Sequence, residues 1–156
     1  TLCWYECTIQ GGRKGSGLDV VEVARAVEAL GAGELLVNCI DCDGQHAGFD
    51  LPLMAMLRST VGVPIIASSG AGSAQHFVDV FNATGVEAAL AASIFHRRLV
   101  PIATVKRTLA DAAIAVRAVG GGGKSSWGRG AHASAALVAA AAAAALAVAL
   151  ARRQSR

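Results

Sequence analysis

The sequence predicts an α/β fold built on a parallel sheet, and three observations carry that expectation. Short, nearly all-apolar runs of the kind buried on both faces of such a sheet recur at Glu34–Ile40, Val63–Ala67 and Val86–Ala91. Stretches with helical periodicity, about 12 residues long, separate them. Each apolar run also gives way to small residues: Asn38-Cys-Ile-Asp-Cys-Asp-Gly44, Ala67-Ser-Ser-Gly-Ala-Gly72 and Ala91-Ala-Ser-Ile-Phe-His96.

Leu2–Ile9 alternates weakly and reads as a strand or hairpin arm that runs into a flexible glycine-rich loop, Gly11–Gly17. Asp19 opens a helix, with Glu22 at the spacing of a capping box. Val20, Val23, Ala24, Val27 and Leu30 form its apolar stripe, and Gly31 supplies the stop. Asp50 caps the next helix, whose buried face is Leu53, Met56 and Leu57. Ser73 caps a third, with Phe77, Val80 and Phe81 inward and an end before Gly85. Ser93–His96 is a short helical turn, and Val100–Val116 a closing helix. Strands alternating with helices imply βαβ crossovers. Three such strands cannot close a barrel, and an eight-stranded (βα)8 TIM barrel takes about 250 residues. The expected architecture is therefore the C-terminal part of such a barrel, followed by an alanine-rich low-complexity tail, helical or disordered. Residues 1–119 are expected to form the barrel portion, 120–130 a glycine-rich linker and 131–156 the basic-ended tail.

The composition divides along the same line. At 156 residues the chain has the length of one domain, and 54% of it is apolar, a figure raised by 14 alanines between Ala131 and Ala151. Residues 1–120 carry 9 basic and 11 acidic groups, and residues 121–156 five basic groups and no acidic one. The basic balance belongs to the tail, and nucleic-acid binding finds no support in residues 1–120, which lack a basic stripe with interleaved aromatics. Ala133–Ala151 is uncharged and long enough to cross a bilayer. Alanine supplies little hydrophobic drive but strong helix propensity, so a water-exposed helix is expected rather than a membrane span. The chain opens on Thr1 without an initiator methionine or signal peptide and reads as a piece of something longer.

The four cysteines, Cys3, Cys7, Cys39 and Cys42, include one C-x-x-C pair. On a strand and its exit, residues three apart point to opposite faces, so reduced thiols are expected and no metal role. The small-residue segments are the functional signal. Glycine lets the backbone approach an oxyanion closely, and a following helix start turns its free N–H groups toward it. Three such segments at successive strand ends make a phosphate-binding rim.

Glu34–Asp50, Pro64–Gly72 and Ala88–His96 closely resemble the cyclase of imidazole glycerol phosphate synthase, and Trp4–Arg13 looks most like the plant and fungal form with glutaminase and cyclase in one chain. The resemblance covers about residues 1–117. It implies a lyase of histidine biosynthesis. With ammonia from a glutaminase, fused or separate, it converts a phosphoribulosyl-formimino-aminoimidazole carboxamide ribotide, phosphorylated at both ends, to imidazole glycerol phosphate and the aminoimidazole carboxamide ribotide. No cofactor is implied. By matching motifs, Gly70 and Gly72 supply backbone donors after strand 7, and Ala92 and Ser93 do so after strand 8. Asp43 and Gly44 line the pocket after strand 6, with Asn38 lower in the mouth. The resemblance places the catalytic aspartates on strands 1 and 5, upstream of Thr1, so neither Asp41 nor Asp43 takes that role. His46 and His76 read as surface residues and His96 as structural. The compartment implied is the plastid for a plant or alga, otherwise the cytoplasm. Two other readings stay open. One is a non-catalytic phosphate-binding half-barrel, membrane-tethered if the tail inserts, and the other is a sister phosphoribosyl isomerase barrel.

Overall fold

The computed structural model describes residues 3–117 and 146–155, with Cys3 and the latter segment described as backbone alone. The chain runs β1 (Cys3–Ile9), β2 (Lys14–Asp19), α1 (Val20–Ala29), β3 (Glu34–Cys39), α2 (Leu51–Arg58), β4 (Ile65–Ser68), α3 (Ala74–Thr84), β5 (Ala88–Leu90), α4 (Ser93–His96), α5 (Ile102–Asp111) and β6 (Leu146–Ser155). The strands form one sheet in the order β2-β1-β6-β3-β4-β5. β6, β3, β4 and β5 are mutually parallel, and β1 and β2 form an antiparallel hairpin on one flank.

The helix starts follow the sequence closely. Asp19 accepts from the Val21 N–H at 2.8 Å, and Asp50 from the Leu53 N–H at 2.9 Å, so each satisfies an amide the helix leaves free. Ser73 sits at the N-cap of α3 but makes no side-chain capping bond there. Gly85 ends α3 in the left-handed region, its N–H returning to Phe81 O at 3.0 Å. Leu35, Val37 and Cys39 share the buried face of β3 and pack with Leu53, Leu57, Ile65, Val80 and Ile94. On α2 the buried methionine is Met54, whereas Met56, expected in the core, is half-buried. β3 has one buried and one half-buried face rather than two buried ones.

One expectation is corrected. The glycine-rich stretch after Ile9 is not all loop, because its second half is β2. The Glu6 carboxylate accepts the Gly17 N–H at 2.7 Å, and the Ser16 hydroxyl donates to Cys7 O at 2.6 Å. A side chain on Gly15 would meet the Glu6 carboxylate, so glycine here leaves room for that side chain over the hairpin. Most of the tail expectation falls on residues that are not described. Residues 118–145, with the glycine linker and most of the alanine run, lie outside the described residues. The backbone of Leu146–Ser155 runs as a strand between β1 and β3, antiparallel to the first and parallel to the second. Unpaired strand edges on both sides outweigh local helix propensity, because each edge offers a row of backbone partners. No helix among the described residues is long and apolar enough to cross a membrane.

At the amino ends of the strands, the Glu28 carboxylate accepts the Gly62 and Val63 N–H groups at 2.7 and 3.0 Å. Arg58 pairs with Glu87 at 2.9 Å, and Glu87 accepts the Ile65 N–H at 2.9 Å. These bonds fix where β4 and β5 begin, and therefore where they end.

Deleting residues 146–156 is expected to strip one neighbour from each of β1 and β3. At about 1 kcal/mol net per lost backbone hydrogen bond, unfolding free energy should drop by several kcal/mol, with higher-order species in light scattering. A truncated chain as stable and as monodisperse as the whole one would show that the tail strand is dispensable.

Candidate functional site

The parallel register places Asn38, Ser68 and Leu90 in one row, so β3, β4 and β5 release the chain at the same edge of the sheet. The loops that follow enclose a cavity of about 200 Å³. Its wall contains Asp43 and Gly44 from the first loop, Gly70 from the second, and Ala92 and Ser93 at the start of α4. The structure thus gathers five residues singled out from sequence alone. Ring packing aligns these loops. Phe77 of α3 meets Phe49 edge-on at 5.4 Å between ring centres, and Phe95 of α4 at 6.3 Å.

The remaining two candidates are placed differently. Asn38 is not in the wall. It lies beneath, where its Oδ1 accepts the Ser68 hydroxyl at 2.9 Å and the Ser69 hydroxyl at 2.5 Å. Ser69 is a non-glycine residue at φ 84°, a strained conformation that the bond to Asn38 helps hold. The Gly72 N–H, expected to face a ligand, donates instead to His76 Nδ1 at 3.1 Å. A side chain on Gly72 would strike the His46 carbonyl, so this glycine serves loop packing.

Gly70 has two constraints at once. Its φ is +95°, and a side chain there would collide with the Gly48 carbonyl. The Gly48 N–H in turn donates to Gly70 O at 2.8 Å, locking the first two loops together. Glycine is required by both conformation and space.

His46 and His76 are not simple surface residues. His46, half-buried at φ 58°, lines the cavity with Nε2 3.2 Å from the Ser93 hydroxyl, and His76 anchors Gly72. Ala92 is the N-cap residue of α4 and Ser93 its first helical residue, with its hydroxyl in contact with His46. Sequence reasoning missed His46, Ser68 and Ser69. The one available signal was their position inside or beside the small-residue segments, since the contacts themselves span up to 47 residues of chain.

The C-x-x-C pair also departs from expectation. β3 stops at Cys39, and a turn closed by Cys42 N–H to Cys39 O at 3.2 Å folds the chain back. The two sulfurs and an Asp50 oxygen then lie within 4.8 Å of one another. The premise that these side chains diverge fails, because strand alternation ends where the turn begins. Burial pushes the Cys39 thiol up to about 12 and raises Cys42 too, so both hold their protons at neutral pH.

A run of βα units whose strand ends and short following helix converge on one cavity defines an α/β protein with a cleft at the carboxyl edge of its parallel strands. The family described as "Histidine biosynthesis protein" matches residues 3–101, and the chain belongs to that family. It is 56% identical over 114 residues to the Arabidopsis thaliana protein named imidazole glycerol phosphate synthase hisHF, chloroplastic, covering 73% of this chain and 19% of that one. It is 53% identical over 115 residues to the Schizosaccharomyces pombe hisHF protein, covering 74% and 21%. With the Haloarcula marismortui subunit HisF the identity is 52% over 115 residues, covering 74% and 42%. The chain therefore spans about a fifth of the hisHF relatives and less than half of the HisF subunit.

Gly44 and Gly70 separate two costs. Gly44 has φ +74°, and a methyl group added there would meet nothing within 4 Å, so Gly44→Ala should lose about 1–2 kcal/mol from backbone conformation alone. Gly70→Ala adds a backbone collision, worth about 1–3 kcal/mol more. Chemical denaturation of the two variants should show that order, and equal losses would contradict the packing described for Gly70.

Proposed function

We propose that this chain supplies strands 6 to 8 of the cyclase barrel of an imidazole glycerol phosphate synthase, and with them the grip on one phosphate of the substrate. The observation that carries this reading is the cavity wall itself. Gly70, held where no side chain fits, lines one small cavity with Ala92 and Ser93 at the strand ends. Backbone N–H groups are donors without counter-charge, and they suit a phosphate dianion that must be released after each turnover. Asp43 cannot accept from a dianion, so its role is with hydroxyl groups next to the phosphate. Asn38, through Ser68 and Ser69, keeps the floor of the cavity in shape.

The reaction assigned is the lyase and cyclase step in which ammonia and the doubly phosphorylated ribulosyl substrate give imidazole glycerol phosphate and the aminoimidazole carboxamide ribotide. The ammonia comes from a glutaminase, fused or separate, as the names hisHF and HisF of the relatives suggest. No catalytic residue is assigned within this chain, because the motifs matched here are those of phosphate binding. The location proposed is the plastid if the source is a plant or alga, as in the name of the chloroplastic relative, and otherwise the cytoplasm.

A chimera tests the reading. Residues 1–117 would replace the aligned segment of the Arabidopsis thaliana protein, and ammonia-dependent product formation would be followed. An active chimera is expected. Gly70→Asp within it should raise KM at least tenfold, since a carboxylate then stands where a dianion must bind. An active chimera with unchanged KM in Gly70→Asp would sink the phosphate assignment.

A further inference from the structure

We propose that Cys39, Cys42 and Asp50 form a binding site for a thiophilic divalent cation of the zinc class, behind the phosphate cavity and distinct from it. Three geometric facts carry this inference. First, the donor atoms already converge: the two sulfurs and one Asp50 oxygen lie within 4.8 Å of one another, on side chains that are buried or half-buried.

Second, one donor pair already stands at the spacing of tetrahedral coordination. With metal–sulfur and metal–oxygen bonds of about 2.3 and 2.0–2.2 Å, adjacent ligands of a tetrahedral zinc stand about 3.6 Å apart. The distance from Cys39 Sγ to Asp50 Oδ2 is 3.6 Å, bridged by the thiol proton. A metal ion would take that proton's place.

Third, the carboxylate is already oriented by partners that a metal would not displace. Asp50 Oδ1 accepts the Leu53 N–H at 2.9 Å and the Tyr5 hydroxyl at 3.0 Å, which leaves Oδ2 turned toward the sulfurs. Outer bonds of this kind hold the ligands of protein metal sites. Cys42 gains its position from the turn that closes on Cys39 O. The two soft thiolates, which outnumber the single hard carboxylate, favour zinc over magnesium or calcium.

Binding breaks the S–H bonds of Cys39 and Cys42, sends two protons to solvent and forms two sulfur–metal bonds, with water in the fourth position. No electron moves. The ion would tie the end of β3 to the N-cap of α2 and so brace the intervening loop, which carries Asp43, Gly44 and His46 to the cavity wall. A methyl group on Gly70 would stand 3.1 Å from Cys42 Cβ, so the braced corner abuts the loop after β4.

Cobalt(II) is the probe, titrated into the fully reduced whole chain. One equivalent should produce intense thiolate-to-cobalt charge-transfer absorption, bleached by one equivalent of zinc. Cys42→Ala should abolish the absorption, and Cys7→Ala, a buried cysteine outside the site, should leave it intact. Asp50→Asn retains a good N-cap, so the variant should fold, yet cobalt affinity should drop at least tenfold. Tyr5→Phe, which removes only the outer hydroxyl, should lower it by about tenfold. Absence of thiolate–cobalt absorption in the native chain would overturn the proposal. So would its full retention in Cys42→Ala, or unchanged affinity in Asp50→Asn.

Discussion

The constraint on which this molecule depends is the parallel pairing of β3, β4 and β5. Parallel strands need a crossover between each pair, so α2 and α3 must form, start on time and lie against the sheet. Asp50 and Gly85 set where those helices begin and end, while Leu53, Leu57 and Val80 bury them. The same register then fixes which residues meet at the carboxyl edge. A slip of one residue would turn Leu35, Val37 and Cys39 out of the core. It would also carry Asn38 away from Ser68 and dissolve the floor of the cavity.

The carboxyl edge combines rigid and strained parts. Ser69 and His46 sit in the left-handed region without being glycine, and each is held by a side-chain bond, to Asn38 or to Ser93. Strain of this kind persists where surrounding contacts overdetermine it, and it collects at binding sites. The opposite edge is simpler. There Glu28, Arg58 and Glu87 tie loop amides and carbonyls to the sheet, and the half-exposed ion pair adds little by itself.

The α/β alternation and the strand-end segments could be read from the sequence because their signals are local. Apolar periodicity, a capping Asp and a terminating Gly are each properties of a few adjacent residues. Asp43, Gly44, Gly70, Ala92 and Ser93 were singled out through the family resemblance of those segments, and they come together in the cavity wall. What escaped depends on how the loops fold back, which apolar periodicity does not record. Gly72 looks like a donor until His76 claims its N–H, and Cys39 and Cys42 look divergent until the turn after β3 brings them beside Asp50. β6 escaped most completely. Alanine prefers helix, but an open slot between β1 and β3 offers backbone hydrogen bonds on two sides, and no local propensity records that slot.

The central claim is that the carboxyl edge of the parallel strands is an anion cradle made mainly of backbone. Titrating inorganic phosphate into the isotopically labelled whole chain, with amide shifts followed by NMR, tests it most directly. The account predicts saturable shifts concentrated at Gly44, Gly70, Ala71, Ala92 and Ser93, with small changes at Gly62 and Val63 on the far edge. Shifts that fail to saturate, or that gather at the amino ends of the strands, would contradict it.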